Sequence, residues 1–278
     1  MSTKSPLRYP GGKSNLYGFL RELINRNMDT NMCSYFELYA GGAGAALNLL
    51  LNRDVRQIIL NDADIHIFNL WDAILHHTDD FLRLIAETPV TMDEWHRQRG
   101  IYESTNGEYS PLQIGFSAFF LNRTNRSGII SKAGPIGGLD QAGNYKIDCR
   151  FNKNSLTRRI EHIAERTGDI EIYNEDTLTF IQNNLARLSD TNSFMYLDPP
   201  YYKKGSSLYL NAYTHQDHEQ LRNVMSNIRD LKWMISYDDV EEIRELYTGF
   251  TSHIHELNYS LQIKRKTNEF FIFSDTIE

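Results

Sequence analysis

The stretch 194-FMYLDPPYY-202 places an acid, two prolines and two tyrosines at the end of an apolar run. Pro199 and Pro200 carry no backbone N–H and each fixes φ, so the turn is stiff and its carbonyl oxygens are free to accept hydrogen bonds. That combination suits the activation of an exocyclic amino group on a nucleobase. Such a nitrogen is planar and a poor nucleophile, because its lone pair is delocalised into the ring. Asp198 can accept one amino hydrogen and the Pro199 carbonyl the other, drawing the nitrogen toward tetrahedral geometry while Tyr201 stacks on the base. Attack on a positioned methyl group then gains from orientation and electrostatics. Asp198, Pro199, Pro200 and Tyr201 are therefore the candidate catalytic residues.

A second constellation is 37-ELYAGGAG-44, a strand running through Gly41, Gly42 and Gly44 into a helix. Small residues there let the backbone approach a ligand lying across the strand ends. The spacing is not G-x-G-x-x-G, so a dinucleotide fingerprint is absent. Twenty residues after Gly42, Asp62 closes a second strand, where a carboxylate can accept from both ribose hydroxyls. The pair points to a nucleoside cofactor without a pyrophosphate. S-adenosylmethionine meets that description, with Glu37 placed to meet its cationic sulfonium or amino end. Asp176 in 174-NEDTLTF-180 reads as a helix N-cap and as an acceptor for the cofactor's adenine amino group, two compatible roles.

The opening stretch 8-RYPGGKS-14 is not a triphosphate loop, since G-x-x-x-x-G-K-[ST] requires glycine where Leu7 stands. It reads as a turn into a helix from Asn15 to Asn25. The histidines of 215-HQDH-218 and 253-HIH-255 have no acids or cysteines at ligand spacing and read as surface or turn residues, so no metal is expected. Cys33 and Cys149 form no C-x-x-C pair.

Short β-rich runs ending in polar residues must position these groups: Cys33–Tyr39, Gln57–Leu60, Ile170–Tyr173, Ser193–Leu197, Lys232–Ser236, and a hairpin of His255–Ile263 with Glu269–Ser274. Alternation of strand and helix implies a parallel sheet with crossover helices. Between Asp64 and Arg159 the pattern is helical (Ile65–His76, Asp79–Ala86, Met92–Tyr102, Leu112–Leu121) and then glycine-rich (127–145). The expected architecture is α/β. Residues 1–64 and 160–278 form the sheet domain, and 65–159 form an inserted, mainly helical and hairpin unit.

At 278 residues the chain can bury a large core. No charged-then-apolar leader and no apolar run near membrane-spanning length is present, so a cytoplasmic protein is expected. The net charge of −7 argues against an evenly distributed nucleic-acid surface. The charge is uneven, however: Phe119–Arg159 carries eight basic and two acidic residues. A basic island on an acidic body suits a polyanion-binding face, and equally a solvated loop surface.

Taken together, these motifs and their order resemble the Dam-type, α-class DNA adenine-N6 methyltransferases. The resemblance implies a Rossmann-like methyltransferase sheet with helices on both faces and an inserted target-recognition domain. It also implies an S-adenosylmethionine cofactor yielding S-adenosylhomocysteine, and a double-stranded DNA partner with a short recognition site. RYPGGK is similar to the family's aromatic-x-Gly-Gly-Lys element, which implies cofactor contacts from Tyr9 and Lys13. The family usually has Trp and Ala where Tyr9 and Pro10 stand. ELYAGGAG matches its glycine turn, with Leu38 in place of Pro, and implies that Glu37, Tyr39, Gly41, Gly42 and Gly44 line the cofactor. Asp62, Asp176 and Asp198 complete that set. The segment 121-LNRTNRSG-128 is similar to the element beside the family's recognition hairpin. It implies base readout by Arg123, Asn125 and Arg126, since arginine favours guanine edges and asparagine adenine. Lys132, Lys153, Arg158 and Arg159, with Lys264 and Lys266 in the last basic loop, are expected on phosphates. Its middle identities depart from the family's, so a GATC specificity is not carried over. Cytosine-N4 methylation and amine methylation of RNA or protein are the competing readings. A cognate restriction or defence component, a prokaryotic or phage source, and a monomer or weak dimer complete the expectation, with no membrane partner.

Overall fold

The computed structural model describes residues 4–8, 13–203, 213–228, 230–259 and 265–278, with backbone alone at 256–259 and 265–267. Among the described residues seven strands form one sheet: β1 (Ser34–Glu37), β2 (Gln57–Asn61), β3 (Ile170–Tyr173), β4 (Ser193–Leu197), β5 (Lys232–Asp238), β6 (Thr251–Tyr259) and β7 (Arg265–Phe273). Their spatial order is β3-β2-β1-β4-β5-β7-β6. The first five are parallel, and β7 lies antiparallel between β5 and β6. The order reverses between β1 and β4, and a crevice opens at such a switch point beyond the carboxyl ends of parallel strands.

Both faces of β1, β2, β4 and β5 are covered, which explains why these strands read as apolar runs with no polar face. Alternate residues enter two separate cores. Tyr35, Ile58, Phe194, Tyr196 and Met234 face one, and Phe36, Ile59, Met195, Leu197 and Ile235 face the other. Full burial of side chains such as Phe36 and Ile59 contributes roughly 1.5–3 kcal/mol each.

The first core is closed by α1 (Tyr17–Asn27), α2 (Gly44–Leu51), α3 (Ile65–His76), α4 (Thr78–Glu87), α6 (Pro111–Thr124) and α7 (Lys153–Ala164). α5 (Met92–Glu103) packs on α6 through Trp95 and Tyr102. Leu70, Trp71, Phe81 and Phe119 thus share one cluster with Leu20, Leu47 and Ile58. The second core is closed by α8 (Thr177–Asn183), α9 (Leu185–Leu188), α10 (His215–Asn227) and α11 (Glu241–Leu246). The α6 start follows from its sequence: Ser110 caps it, Gln113 completes a capping box, and Pro111 occupies the first turn.

Candidate active site

Asp198 is the first residue beyond β4, in the crevice at the switch point. Its Oδ1 accepts from Ser236 Oγ of β5 at 2.8 Å and lies 3.2 Å from Lys13 Nζ. Lys13 begins the 3₁₀ turn Lys13–Leu16 that precedes α1. The Lys13 ammonium donates to Glu269 Oε1 of β7 at 2.6 Å and to the Tyr201 hydroxyl at 2.7 Å. Tyr201 in turn donates to Glu269 Oε1 at 2.7 Å, and Nζ stands 5.1 Å from the centre of its ring. A second hydroxyl, from Tyr196, is within 2.7 Å of Ser236 Oγ. Two carboxylates, one ammonium and three hydroxyls thus interlock where β1, β4, β5 and β7 meet.

Lys13 and Glu269 are buried and Asp198 is half-buried, so electrostatics inside the hub are strong. Burial pushes Asp198 up to about 6; Lys13 opposes that rise and Glu269 reinforces it. Glu37, at the end of β1, is only 4% exposed and accepts from the Ala46 N–H at 3.0 Å. Burial raises it to about 8, the Ala46 N–H holds it down, and the nearby Asp198 raises it further. Pro199 and Pro200 are buried. Just beyond them, the Tyr202 and Lys203 N–H groups donate to the two oxygens of Asp238, at 2.9 and 3.2 Å, which anchors the turn to the end of β5.

The glycine turn is clamped from two sides. Gly41 adopts φ +43°, a region that favours glycine, and its N–H donates to Asp62 Oδ2 at 2.8 Å. Asp62 Oδ1 accepts from the Asp64 N–H at 3.0 Å. Dense surroundings raise the Asp62 carboxyl to about 6 by burial, against those two N–H groups. A Cβ on Gly44 would strike Ser14 Oγ and stand 3.3 Å from Ser14 N, so the opening turn and α2 meet with no room for a side chain. Ser5 Oγ donates to the Gly42 carbonyl at 2.5 Å, strapping the N-terminal segment across the turn.

The structure thus brings Lys13, Glu37, Gly41, Gly42, Gly44, Asp62, Asp198, Pro199, Pro200 and Tyr201 to the strand ends. Tyr39 lies beside them, its hydroxyl 2.7 Å from that of Tyr213. Asp176 caps α8 through the Leu178 and Thr179 N–H groups and remains exposed. Tyr9 lies outside the described residues, as does Lys264, and only the backbone of Lys266 is described.

The candidate DNA contacts are more varied. Arg126, Lys132 and Arg158 are exposed. Lys153 Nζ instead caps the end of α4, donating to the Ala86 and Thr88 carbonyls at 2.7 and 2.9 Å. Arg159 donates to the Ser5 carbonyl at 3.1 Å. Asn125 is fully buried, accepting from Trp95 Nε1 at 2.7 Å and donating to the Ile129 and Ile130 carbonyls, each at 2.9 Å. Its hydrogen-bonding capacity is spent inside the fold and not offered to a base. Arg123 donates to the carbonyls of Arg150 and Pro6.

Two histidine expectations need correction. His218 is not a surface residue: it is fully buried, with Nδ1 2.9 Å from the Tyr237 hydroxyl, and the rings of Tyr202, Tyr213 and Tyr237 surround it. Burial pushes it down to about 4, so it is neutral at physiological pH. His255 stacks on Phe271 with ring centres 5.0 Å apart. Sequence reasoning also missed Glu269, Ser236 and Asp238. The signal for Glu269 was an acid at the point in the final strand where the polar Arg265–Asn268 gives way to the apolar Phe270–Phe273. Among the described residues no cluster of three or more metal-ligating side chains occurs, and no helix is long and apolar enough to cross a membrane.

The chain is similar to the Type II methyltransferase M.MjaIII of Methanocaldococcus jannaschii, 23% identical over 274 residues and covering 90% of each chain. It is also similar to the modification methylase StsI of Streptococcus sanguinis, 24% identical over 209 residues, 71% of this chain and 28% of that protein. A solved rRNA methyltransferase, aviRa of Streptomyces viridochromogenes, aligns over 97% of this chain and 88% of its own with 10% identity and a TM-score of 0.42. At that score the fold rests on the strand order alone. The family described as D12 class N6 adenine-specific DNA methyltransferase matches residues 9–262. Adenine N6 is thereby favoured over cytosine N4, RNA and protein amines as the methyl acceptor. Matched along most of its length, the chain belongs to the D12 class of N6 adenine-specific DNA methyltransferases, enzymes that depend on S-adenosylmethionine.

Proposed function

We propose that the enzyme binds a short site in double-stranded DNA, turns one adenine out of the stack and presents its N6 to Asp198. The observation that carries this reading is the hub at the end of β4, where Asp198, Lys13, Glu269, Tyr201 and Ser236 interlock at 2.6–3.2 Å. The Asp198 carboxylate and the Pro199 carbonyl accept from the two amino hydrogens, and Tyr201 packs on the base. With a carboxyl near 6, Asp198 is ionised at neutral pH yet basic enough to take the proton that N6 releases. The stiff proline turn and its Asp238 anchor fix the acceptor before substrate arrives, which is where preorganisation gains rate.

S-adenosylmethionine supplies the methyl group when bound. The chain fits that cofactor in the acids at its strand ends, which suit a cationic sulfonium: Glu37 is buried, and Asp62 and Asp198 are half-buried. Glu37, Asp62, Gly41 and Gly42 would hold it, with Lys13, Tyr39 and Asp176 beside them. Helices and the glycine-rich passage within 65–159 form the target-recognition unit, with Arg126, Lys132 and Arg158 on its exposed surface. The relatives' names, a Type II methyltransferase and a modification methylase, favour a restriction-modification setting. To that setting we add a cognate restriction or defence component, a prokaryotic or phage-infected cytoplasm, and a monomer or weak dimer. The test is methyl transfer from labelled S-adenosylmethionine to duplex DNA, with 2-aminopurine replacing adenines one at a time. Label on adenine N6 of the unsubstituted duplex is expected; at the one target position 2-aminopurine, which has no 6-amino group, should give a fluorescence rise and abolish the label. Label on cytosine, or none on DNA with label on RNA, would sink the reading.

A further inference from the structure

We infer that Arg8, Arg123, Arg150 and Arg159 form a built site for one phosphate of the DNA backbone, beside the N-terminal strap of residues 5–8. This deepens the DNA-methyltransferase reading and rests on it. The four arginines come from four separate segments: the N-terminal strap, the last turn of α6, the 3₁₀ turn Ile147–Arg150, and α7. Backbone contacts draw them together. Arg159 and Arg123 donate to the adjacent carbonyls of Ser5 and Pro6, at 3.1 and 3.3 Å. Arg123 also donates from Nε to the Arg150 carbonyl at 2.8 Å, and Arg8 reaches the Asn125 carbonyl at 3.3 Å.

None of the four pairs with a carboxylate among the described residues, and the cluster is self-repelling. Arg123 is held below its usual value, to about 9, by burial and then by Arg8, Arg159 and Arg150, while the exposed Cys149 opposes this. Arg8 is lowered by burial and by Arg150. Such crowding costs the free protein stability and is relieved by an anion. Arg8 and Arg159 each spend one guanidinium N–H on a carbonyl and keep most of their donors, in planar forks that match phosphate oxygens, while Arg123 is held mainly by the backbone. Arg150 is exposed and the other three are half-buried, so the site opens to solvent. The strap carrying Arg8 is the one whose Ser5 clamps Gly42, so a phosphate held here is registered against the cofactor turn.

The test uses Arg8→Gln and Arg150→Gln, singly and together, because Arg123 and Arg159 also tie the strap in place. For the double variant we expect about tenfold weaker DNA binding at low salt, a salt slope reduced by about one, and unchanged S-adenosylmethionine binding. Its Tm without DNA should equal or exceed that of the wild type, whereas a purely structural role would lower it. Inorganic phosphate should raise the wild-type Tm and leave the double variant unmoved. In a scan of single methylphosphonate substitutions, one position should weaken the wild type and not the variant. An unchanged salt slope with no such position overturns the proposal, and phosphate stabilisation with an unchanged slope overturns the assignment to DNA. A wild type that binds no DNA would refute the DNA reading itself, and the inorganic-phosphate arm would then decide the anion site alone.

Discussion

Replacing Glu269 by Gln removes one negative charge from the hub and keeps an amide within reach of Lys13 and Tyr201. Glu269 and Asp198 contact the same ammonium at 2.6 and 3.2 Å, so their nearest oxygens are at most about 6 Å apart. At an effective dielectric constant near 20, two unit charges about 6 Å apart repel by roughly 3 kcal/mol, or about two pKa units. Loss of that repulsion lowers the Asp198 carboxyl, which stands near 6 with Glu269 present. A Lys13 released from Glu269 lowers it further. Catalysis requires ionised Asp198, so activity falls as pH drops through its pKa. In Glu269→Gln the acid limb of kcat/KM should therefore move down by about one to two units. The plateau should also fall, because Lys13 and Tyr201 lose a charged acceptor. Initial rates of methyl transfer between pH 5 and 9, for wild type, Glu269→Gln and Glu269→Asp, read both effects. An acid limb that stays in place, or moves up, would refute the electrostatic role of Glu269. Restoration of the wild-type limb by Glu269→Asp is expected.

Other outcomes follow from contacts elsewhere. Gly44→Ala forces a methyl against Ser14 and should lower stability by roughly 1–3 kcal/mol while weakening cofactor binding, read by urea unfolding and calorimetric titration. Asn125→Ala leaves the Trp95 N–H and two buried carbonyls without partners, and should cost roughly 2–3 kcal/mol of stability in the same unfolding assay. His218 is depressed from 6.5 to about 4 in the fold, so the unfolded chain takes up its proton first as pH falls. Its contribution is complete above about pH 6.5 and lost progressively toward pH 4, in total roughly 3 kcal/mol. The difference in pH dependence of unfolding between wild type and His218→Gln isolates that loss, and parallel curves would contradict it.

What the sequence disclosed was the local grammar. Apolar runs ending in polar or acidic residues located β1 to β5 within two residues, since β1, β2, β4 and β5 are buried on both faces and followed by a polar crevice. Asp198, Asp62 and the glycine turn were legible for the same reason. The Ile65–His76 helix was read with its observed bounds, because Asp64 caps it through the His66 N–H. Strand β6 begins at Thr251 and not at His255, because its register is dictated by pairing with β7 and not by its own composition. Glu269 escaped notice because its partner Lys13 lies 256 positions away, a distance that only the fold closes. His218 and Asn125 look like surface residues by type. Burial comes to them from neighbours on other elements, the tyrosines of the second core and Trp95 of α5.

The central claim is that Asp198 prepares adenine N6 for methylation, and one measurement addresses it most directly. DNA from cells expressing the wild-type chain and the Asp198→Ala variant would be mapped for modified bases by single-molecule sequencing, with S-adenosylmethionine binding measured on both purified proteins. N6-methyladenine at one short motif with the wild type alone, and cofactor binding by both, is the result we predict. Methyladenine at the same motif in the Asp198→Ala DNA, or modification confined to cytosine, would contradict it.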